Sequence, residues 1–369
     1  MIKLAKPIIS EAVIQEVAEI IRSGNLVQGP RVEQFEEALR NYLNIEYAIV
    51  VSSGTAALHL ALMALNITDG DEVLVPAFTF PATANVVENV GAKPLLVDIS
   101  LTDFCMDPSR IEDTITQRTK AIIVVHEFGQ AAEMENIVEI AKRRNLHLIE
   151  DAACAIGARW KNRPAGAFGI LGCFSFHPRK VITTGEGGAI TTGDASLAKR
   201  IRALRSHGLS APGTLEFTDA GLNYRMTDFQ AVMGHGQLVH VEEEIETRIQ
   251  QAHRYRGNLS SCGWLRTPDV LENRRHIYQT FHVLLDDELD RDQLIRRLKE
   301  EGVEATLGAQ ALHILPFYKA KYGYDPSDYP QALRACRQGL ALPVGSHLSG
   351  ENIDYICDRL RQIHRQMSP

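Results

Sequence analysis

Three short stretches carry residue types and spacings from which a reaction could be built. In "CFSFHPRKVITTGEGGAITT", residues 173–192, an apolar strand with Phe174 and Phe176 alternating around Ser175 is stopped by Pro178. Lys180 follows, then Gly185, Gly187 and Gly188, whose backbones can take shapes closed to other residues. A primary amine fixed at a strand end can condense with a carbonyl carbon. In "LIEDAAC", residues 148–154, an apolar strand ends on an acidic pair, and Asp151 is placed to meet a protonated ligand nitrogen. In "SSGTAAL", residues 52–58, a strand runs through small polar residues and a glycine into a helix, an arrangement that suits a phosphate. Singly, these are a solvated lysine, a strand-end surface carboxylate and an ordinary Ser/Thr helix cap. Together, a phosphate cradle, an acid for a ring nitrogen and a lysine on a neighbouring strand end match the needs of pyridoxal 5'-phosphate (PLP).

The elements that must position them are those of an α/β protein. From about residue 46, apolar β-branched runs ("EYAIVVSS", "DEVLVPAF", "KPLLVDI", "KAIIVVHE", "LHLIEDAA") alternate with helical ones ("GTAALHLALMAL", "ATANVVENVG", "DPSRIEDTITQRT", "MENIVEIAKRRN"). Repeated units of this kind predict a largely parallel sheet covered on both faces, with ligands at the carboxyl ends of the strands. Near residue 241 the rhythm changes to one long charged helix, "VEEEIETRIQQAHRYRGNLSS", with Glu244 four residues before Arg248. We therefore expect a large domain over residues 1–245, including an N-terminal helical segment, and a smaller α+β domain over 246–369. A chain of 369 residues is too long for one small core.

Composition excludes other classes. With 45% hydrophobic and 23% charged residues, a net charge of −7 and no long basic run, the chain is an ordinary globular protein with no footprint for nucleic acid. No apolar stretch is long enough for a membrane span, and "MIKLAKPIISEAVIQEVAEII" lacks the features of a signal peptide. Six scattered cysteines with no CxxC pattern suggest a reducing cytoplasm. The spacing of His235, His240 and Glu242–Glu244 fits no standard metal site, so no metal is expected. The basic run "LAKRIRALRSHG", 197–208, reads as a solvated helix face.

The ordered set "SGTAALHLAL", "GDEVLVPAFTFPATANVV", "EDAACAIGA", "FSFHPRKVITTGEGG", "GLNYRMTDFQAVMGHGQL" and "LALPV" resembles the DegT-type sugar-nucleotide aminotransferases, PLP enzymes of the aspartate-aminotransferase fold (fold type I), through most of the chain. The resemblance implies a mostly parallel, seven-stranded mixed sheet sandwiched by helices. It also implies a Schiff base of PLP on Lys180, with Lys180 as the acid and base of the proton shift, and Asp151 on the pyridinium nitrogen. Phe80 would stack on the ring, Gly54, Thr55, Ala56 and Ser175 would hold the phosphate, and Cys154 would sit beside the cofactor. Asn223 and Arg225 would reach cofactor or substrate from the neighbouring subunit of a homodimer, and His313 and His177 would lie near the substrate.

The implied reaction moves an amino group from L-glutamate to a nucleotide-linked keto-deoxysugar, in amino-sugar biosynthesis for a cell-surface polysaccharide or a secondary metabolite. Relatives that aminate cyclitols or eliminate water from sugars are the alternatives within the family, and a PLP- or sugar-nucleotide-sensing regulator is the alternative of another class. Two positions depart from the pattern. Cys154 stands where Gln or His is common after "DAA", and a thiol is a weak donor to the cofactor's ring oxygen. Glu127 and Phe128 stand where a more apolar or aromatic pair is common. Glu186, in the glycine turn, has no role that the sequence explains.

Overall fold

The computed structural model describes residues 1–211 and 213–367. Seven strands form the main sheet: β1 (Tyr47–Val51), β2 (Glu72–Pro76), β3 (Lys93–Val97), β4 (Thr119–Val125), β5 (His147–Asp151), β6 (Leu171–Ser175) and β7 (Gly188–Thr192). Their order is β1-β7-β6-β5-β4-β2-β3. Neighbours from β6 to β3 pair in parallel, and β7 lies antiparallel between β1 and β6. The registers Val51↔Gly188, Gly188↔Ser175, Asp151↔Cys173 and Val125↔Asp151 bring the ends of β1, β6, β5 and β4 to one edge of the sheet. The three stretches singled out by their chemistry therefore meet there.

Alternation along the strands divides the core between the two faces. Ile49, Ile190, Cys173 and Ile149 pack with the helix Gly54–Ala64, while Ala48, Val50, Ala189 and Phe174 pack with the helix Pro30–Leu43. Gly54–Ala64 is apolar nearly all round and is correspondingly buried. A second antiparallel sheet, β8 (Leu265–Arg266), β9 (Phe281–Leu285) and β10 (Gly339–Leu342), carries its own core with the helices Arg291–Glu300 and Gly350–Met367. The fold is the α/β architecture expected, a seven-stranded mixed sheet between helices with a smaller α+β unit. Among the described residues, no helix is long and apolar enough to cross a membrane.

Several details differ from expectation. The proposed split at 245/246 falls within the helix Val241–Leu259, whose Val241 and Ile245 pack in the core of the main sheet and whose Ala252, Tyr255 and Leu259 pack in that of the second. The first residues lie on the far side of that split: Ile2 donates its N–H to the Gly302 carbonyl and accepts from Glu304, and the Leu4 N–H reaches the Glu304 carboxylate. The expected range 246–369 also includes residues 368 and 369, which lie outside the described residues. "DEVLVPAF" is broken after Pro76, and Phe78–Thr79 pair instead with Gln310–Ala311. The helix in "DPSRIEDTITQRT" stops at Thr114, because Ile115 turns extended.

The basic run 197–208 is not simply a solvated face. In the helix Ala195–Arg205, the Arg205 Nη1 donates to Glu36 Oε1 at 2.7 Å and to the Val50 carbonyl at 2.8 Å, and Arg202 meets the other Glu36 oxygen at 2.9 Å. Glu36 also accepts from the Val50 N–H. One buried ion pair thus fastens two helices to β1, behind the strand end that opens into the 52–58 turn. Burial is sustainable here because every charge has a partner.

Candidate active site

A cavity of about 590 Å³ opens at the shared strand edge, within the range usual for small-molecule sites. Its walls include Ser53, Gly54 and Thr55 after β1, Glu127 and Phe128 after β4, Asp151 and Cys154 from the end of β5, and Ser175, His177 and Lys180 after β6. Phe80 stands at the mouth, 71% exposed. The second unit closes the other side with Arg248, Gln279, Thr306 and Gly308.

Each wall has a local cause. Ser53 caps the helix Gly54–Ala64 by accepting from the Ala56 N–H at 3.0 Å. That bond occupies the Ala56 amide expected to hold phosphate, whereas Gly54, Thr55 and Ser175 line the cavity directly. A Cβ on Gly54 would lie 2.7 Å from Ser175 Cβ, so only glycine lets the two strand ends close into a cradle. Of the three glycines beyond Lys180, Gly185 alone has a left-handed backbone (φ +79°). Gly188 is needed for closeness, since a Cβ there would lie 2.5 Å from the Ser53 carbonyl oxygen.

Asp151 is buried at the end of β5 and accepts from Thr83 Oγ1 at 2.8 Å and from the Ala153 N–H at 3.1 Å. Burial raises its pKa above the ordinary carboxylate value, opposed by those bonds and by Lys180 and His126. A cationic ring nitrogen is the partner that would restore its charge. Beneath it, His126 bonds Glu150 at 2.8 Å through Nε2 and accepts the Ala132 N–H on Nδ1, which assigns the ring proton to Nε2. Glu150 also accepts from the N–H groups of Gly166, Phe168 and Gly169.

Lys180 points its Nζ to Cys154 Sγ at 3.0 Å. Burial disfavours its ammonium, but Cys154, Asp151 and Glu127 outweigh that and raise its pKa. The loop that carries it is pinned on both sides by Gln279, whose Oε1 accepts from the Val181 N–H and whose Nε2 donates to the Arg179 carbonyl. His177 lines the cavity, and desolvation lowers its pKa. Glu186 faces the same space, while its carbonyl accepts from Thr184 and Gln230 and so closes the glycine turn.

The remaining expected residues lie elsewhere in this chain. Arg225 pairs with Val51 through the backbone and Asn223 is exposed, and neither lines the cavity. His313 is fully buried against Tyr329, outside the cavity, with both ring nitrogens unpartnered. Thr83 and Gln279 were not singled out in the sequence, and Arg248 stood out there only as the helical partner of Glu244. Thr83 lies on the helix Ala82–Asn89 directly after Phe80, a signal that was available; Gln279 and Arg248 come from distant chain and left none.

The donor set fits PLP: a glycine cradle beside hydroxyls, a buried carboxylate for the ring nitrogen, and an amine between them. The model of the DegT/DnrJ/EryC1/StrS aminotransferase family matches residues 7–361. The chain is 40% identical to GDP-perosamine synthase of Caulobacter vibrioides over 91% of this chain and 90% of that protein. It is 34% identical to the UDP-4-amino-4-deoxy-L-arabinose–oxoglutarate aminotransferase of Shewanella sediminis, over 98% and 97% of the two chains. A solved relative from Streptococcus pneumoniae, recorded in a PLP form, superposes with a TM-score of 0.95 at 28% identity over the whole of both chains. The chain belongs to the DegT/DnrJ/EryC1/StrS aminotransferase family and is a PLP-dependent transaminase.

Proposed function

We propose that this aminotransferase moves an amino group from L-glutamate to a nucleotide-linked keto-deoxysugar, as a cytoplasmic homodimer in amino-sugar biosynthesis. The observation that carries the reading is the meeting of Lys180 with Asp151 and the Gly54–Ser175 cradle in one cavity. The relatives support the substrate class, since their names specify GDP- and UDP-linked amino sugars and, in one case, oxoglutarate as the reaction partner, the 2-oxo acid that corresponds to glutamate. The six described cysteines are all free, which agrees with a reducing compartment. Asn223 and Arg225 lie outside this chain's cavity, and in the proposed dimer they serve the partner's site.

Bound PLP supplies an electron sink for the carbon that loses or gains a proton. Gly54, Thr55 and Ser175 would hold its phosphate, and Asp151 would keep its ring nitrogen protonated. Lys180 Nζ would hold its aldehyde carbon and, as a free amine, would serve as the acid and base that carries the shifted proton. Gln279 sets the reach of Lys180 by clamping the backbone on either side of it. Phe80, at the mouth, would cover the ring and exclude water.

The test is spectroscopic and then synthetic. Wild type incubated with PLP should gain visible absorbance and lose it on addition of L-glutamate, and Lys180→Ala should never gain it. The glutamate-treated protein should regain the absorbance with a keto-sugar nucleotide and not with a keto-inositol. Recovery with the keto-inositol alone would overturn the sugar assignment.

A further inference from the structure

Glu127 lines the cavity, is only 5% exposed, and takes part in none of the roles above. Its Oε2 has no hydrogen-bond partner. Its position is enforced by the turn after β4. Phe128 takes a left-handed backbone (φ 55°), a conformation costly for an aromatic residue, and its ring is held stacked on His282 at 4.2 Å and edge-on to Phe104. The next residue, Gly129, accepts the Ile277 N–H, and His282 belongs to β9, so the turn is also tied to the second sheet.

Sheet order gives the carboxyl a direction. The phosphate cradle lies at the ends of β1 and β6, Asp151 ends the next strand, β5, and Glu127 follows β4 on the far side. Each step across the sheet is about 4.8 Å. In PLP, the phosphate arm and the ring hydroxyl flank the aldehyde carbon on opposite sides. With phosphate at Gly54 and Ser175, ring nitrogen at Asp151 and aldehyde at Lys180, the hydroxyl is directed to the side of Glu127 and Cys154. Cys154 offers only a thiol S–H, a weak donor.

We propose that the protonated carboxyl of Glu127 is the hydrogen-bond donor to the cofactor's ring hydroxyl oxygen, the role for which the Cys154 thiol is too weak. Burial first, and the charge of Asp151 second, push the Glu127 pKa up to about 8, with Lys180 opposing. The other titratable groups that interact with it are Cys154 and Cys105, and His126 beside it in sequence is tied to Glu150. Glu127 therefore carries a proton at neutral pH and is a donor there. On the alkaline side it becomes an acceptor, and the contact turns repulsive.

The inference rests on PLP use and not on the sugar substrate, so its failure leaves the proposed substrate untouched. Wild type, Glu127→Gln and Glu127→Leu are loaded with PLP, and visible absorbance against pH and PLP retention in equilibrium dialysis are recorded. The glutamine variant keeps a donor that cannot ionise, so its affinity should stay within about twofold of wild type. It should also lack the alkaline spectral step that wild type shows. The leucine variant loses the donor and should bind PLP about tenfold more weakly or worse. An alkaline titration unchanged in Glu127→Gln, or a folded Glu127→Leu that binds PLP as tightly as wild type, would overturn the proposal. Should the leucine variant not fold, the glutamine titration decides alone.

Discussion

Replacing Gly54 by alanine sets two expectations against each other. Alanine favours a helix over glycine by about 1 kcal/mol, so helix propensity alone predicts a more stable protein. The tertiary structure predicts the reverse. The new Cβ would sit 2.7 Å from Ser175 Cβ, 3.2 Å from its Oγ and 3.3 Å from its Cα. Carbon atoms rest at about 3.5–4.0 Å, so one partner must retreat by about 1 Å. Ser175 cannot retreat readily, because it ends a strand paired with Gly188 on one side and with β5 on the other. The helix Gly54–Ala64 is wedged against β6 and β7 by its buried face. Overpacking of this kind costs about 1–3 kcal/mol. The displaced cradle should weaken PLP binding by roughly ten- to a hundredfold, the scale on which misplacement by about 1 Å acts. Denaturant unfolding of the unliganded protein and a PLP absorbance titration measure the two effects. Gly257→Ala is the control: it lies inside the helix Val241–Leu259 with no atom within 4 Å of the added Cβ, and it should stabilise by about 0.5–1 kcal/mol. A Gly54→Ala protein as stable as wild type that binds PLP unimpaired would refute the steric reasoning.

Other outcomes follow from the same contacts. Arg205→Ala leaves Glu36 buried without its closest cation and should destabilise by about 3–5 kcal/mol in denaturant unfolding, whereas replacing both by apolar residues of similar volume should cost far less. Asp151→Asn should still take up PLP on Lys180 but slow its glutamate-driven conversion by about 10²–10³, because the neutral amide cannot hold the ring-nitrogen proton. Without cofactor, stability should fall as pH rises from about 4.5 to about 8, and then level: folded Glu127 keeps its proton through that window and the unfolded chain does not. The ceiling of that effect is on the order of 5 kcal/mol. Glu127→Gln should remove it, so parallel stability profiles for the two proteins would count against the buried, protonated carboxyl.

Much of this was legible in the chain. The apolar runs 119–125 and 147–151 mark parallel strands locally, because a strand buried on both faces needs little from its partners to be recognised; the run 47–51 reads the same way, yet its one pairing, with β7, is antiparallel. Lys180, Asp151 and Gly54 stood out because each sits at or just beyond a strand end where apolar pattern gives way to a chemical type, and the sheet does bring them to one cavity. The same local reading failed for the basic helix Ala195–Arg205. Periodicity says which face is polar but not that a carboxylate, Glu36, waits opposite Arg205. His313 was placed near the substrate by resemblance and in this chain is buried against Tyr329, not among the residues that line the cavity.

Sequence by itself determined the reactive inventory: one lysine, one acid and a glycine-hydroxyl cradle on successive α/β units. Tertiary structure alone decided how those groups are charged and clamped. Gln279, far along the chain, fixes both sides of Lys180, Thr83 holds Asp151, and Glu127 stays protonated because distant segments bury it. The reason is physical. Residue type sets which proton a group can carry, whereas solvent exclusion and neighbouring charge, which exist only once the chain has folded, set whether it carries it.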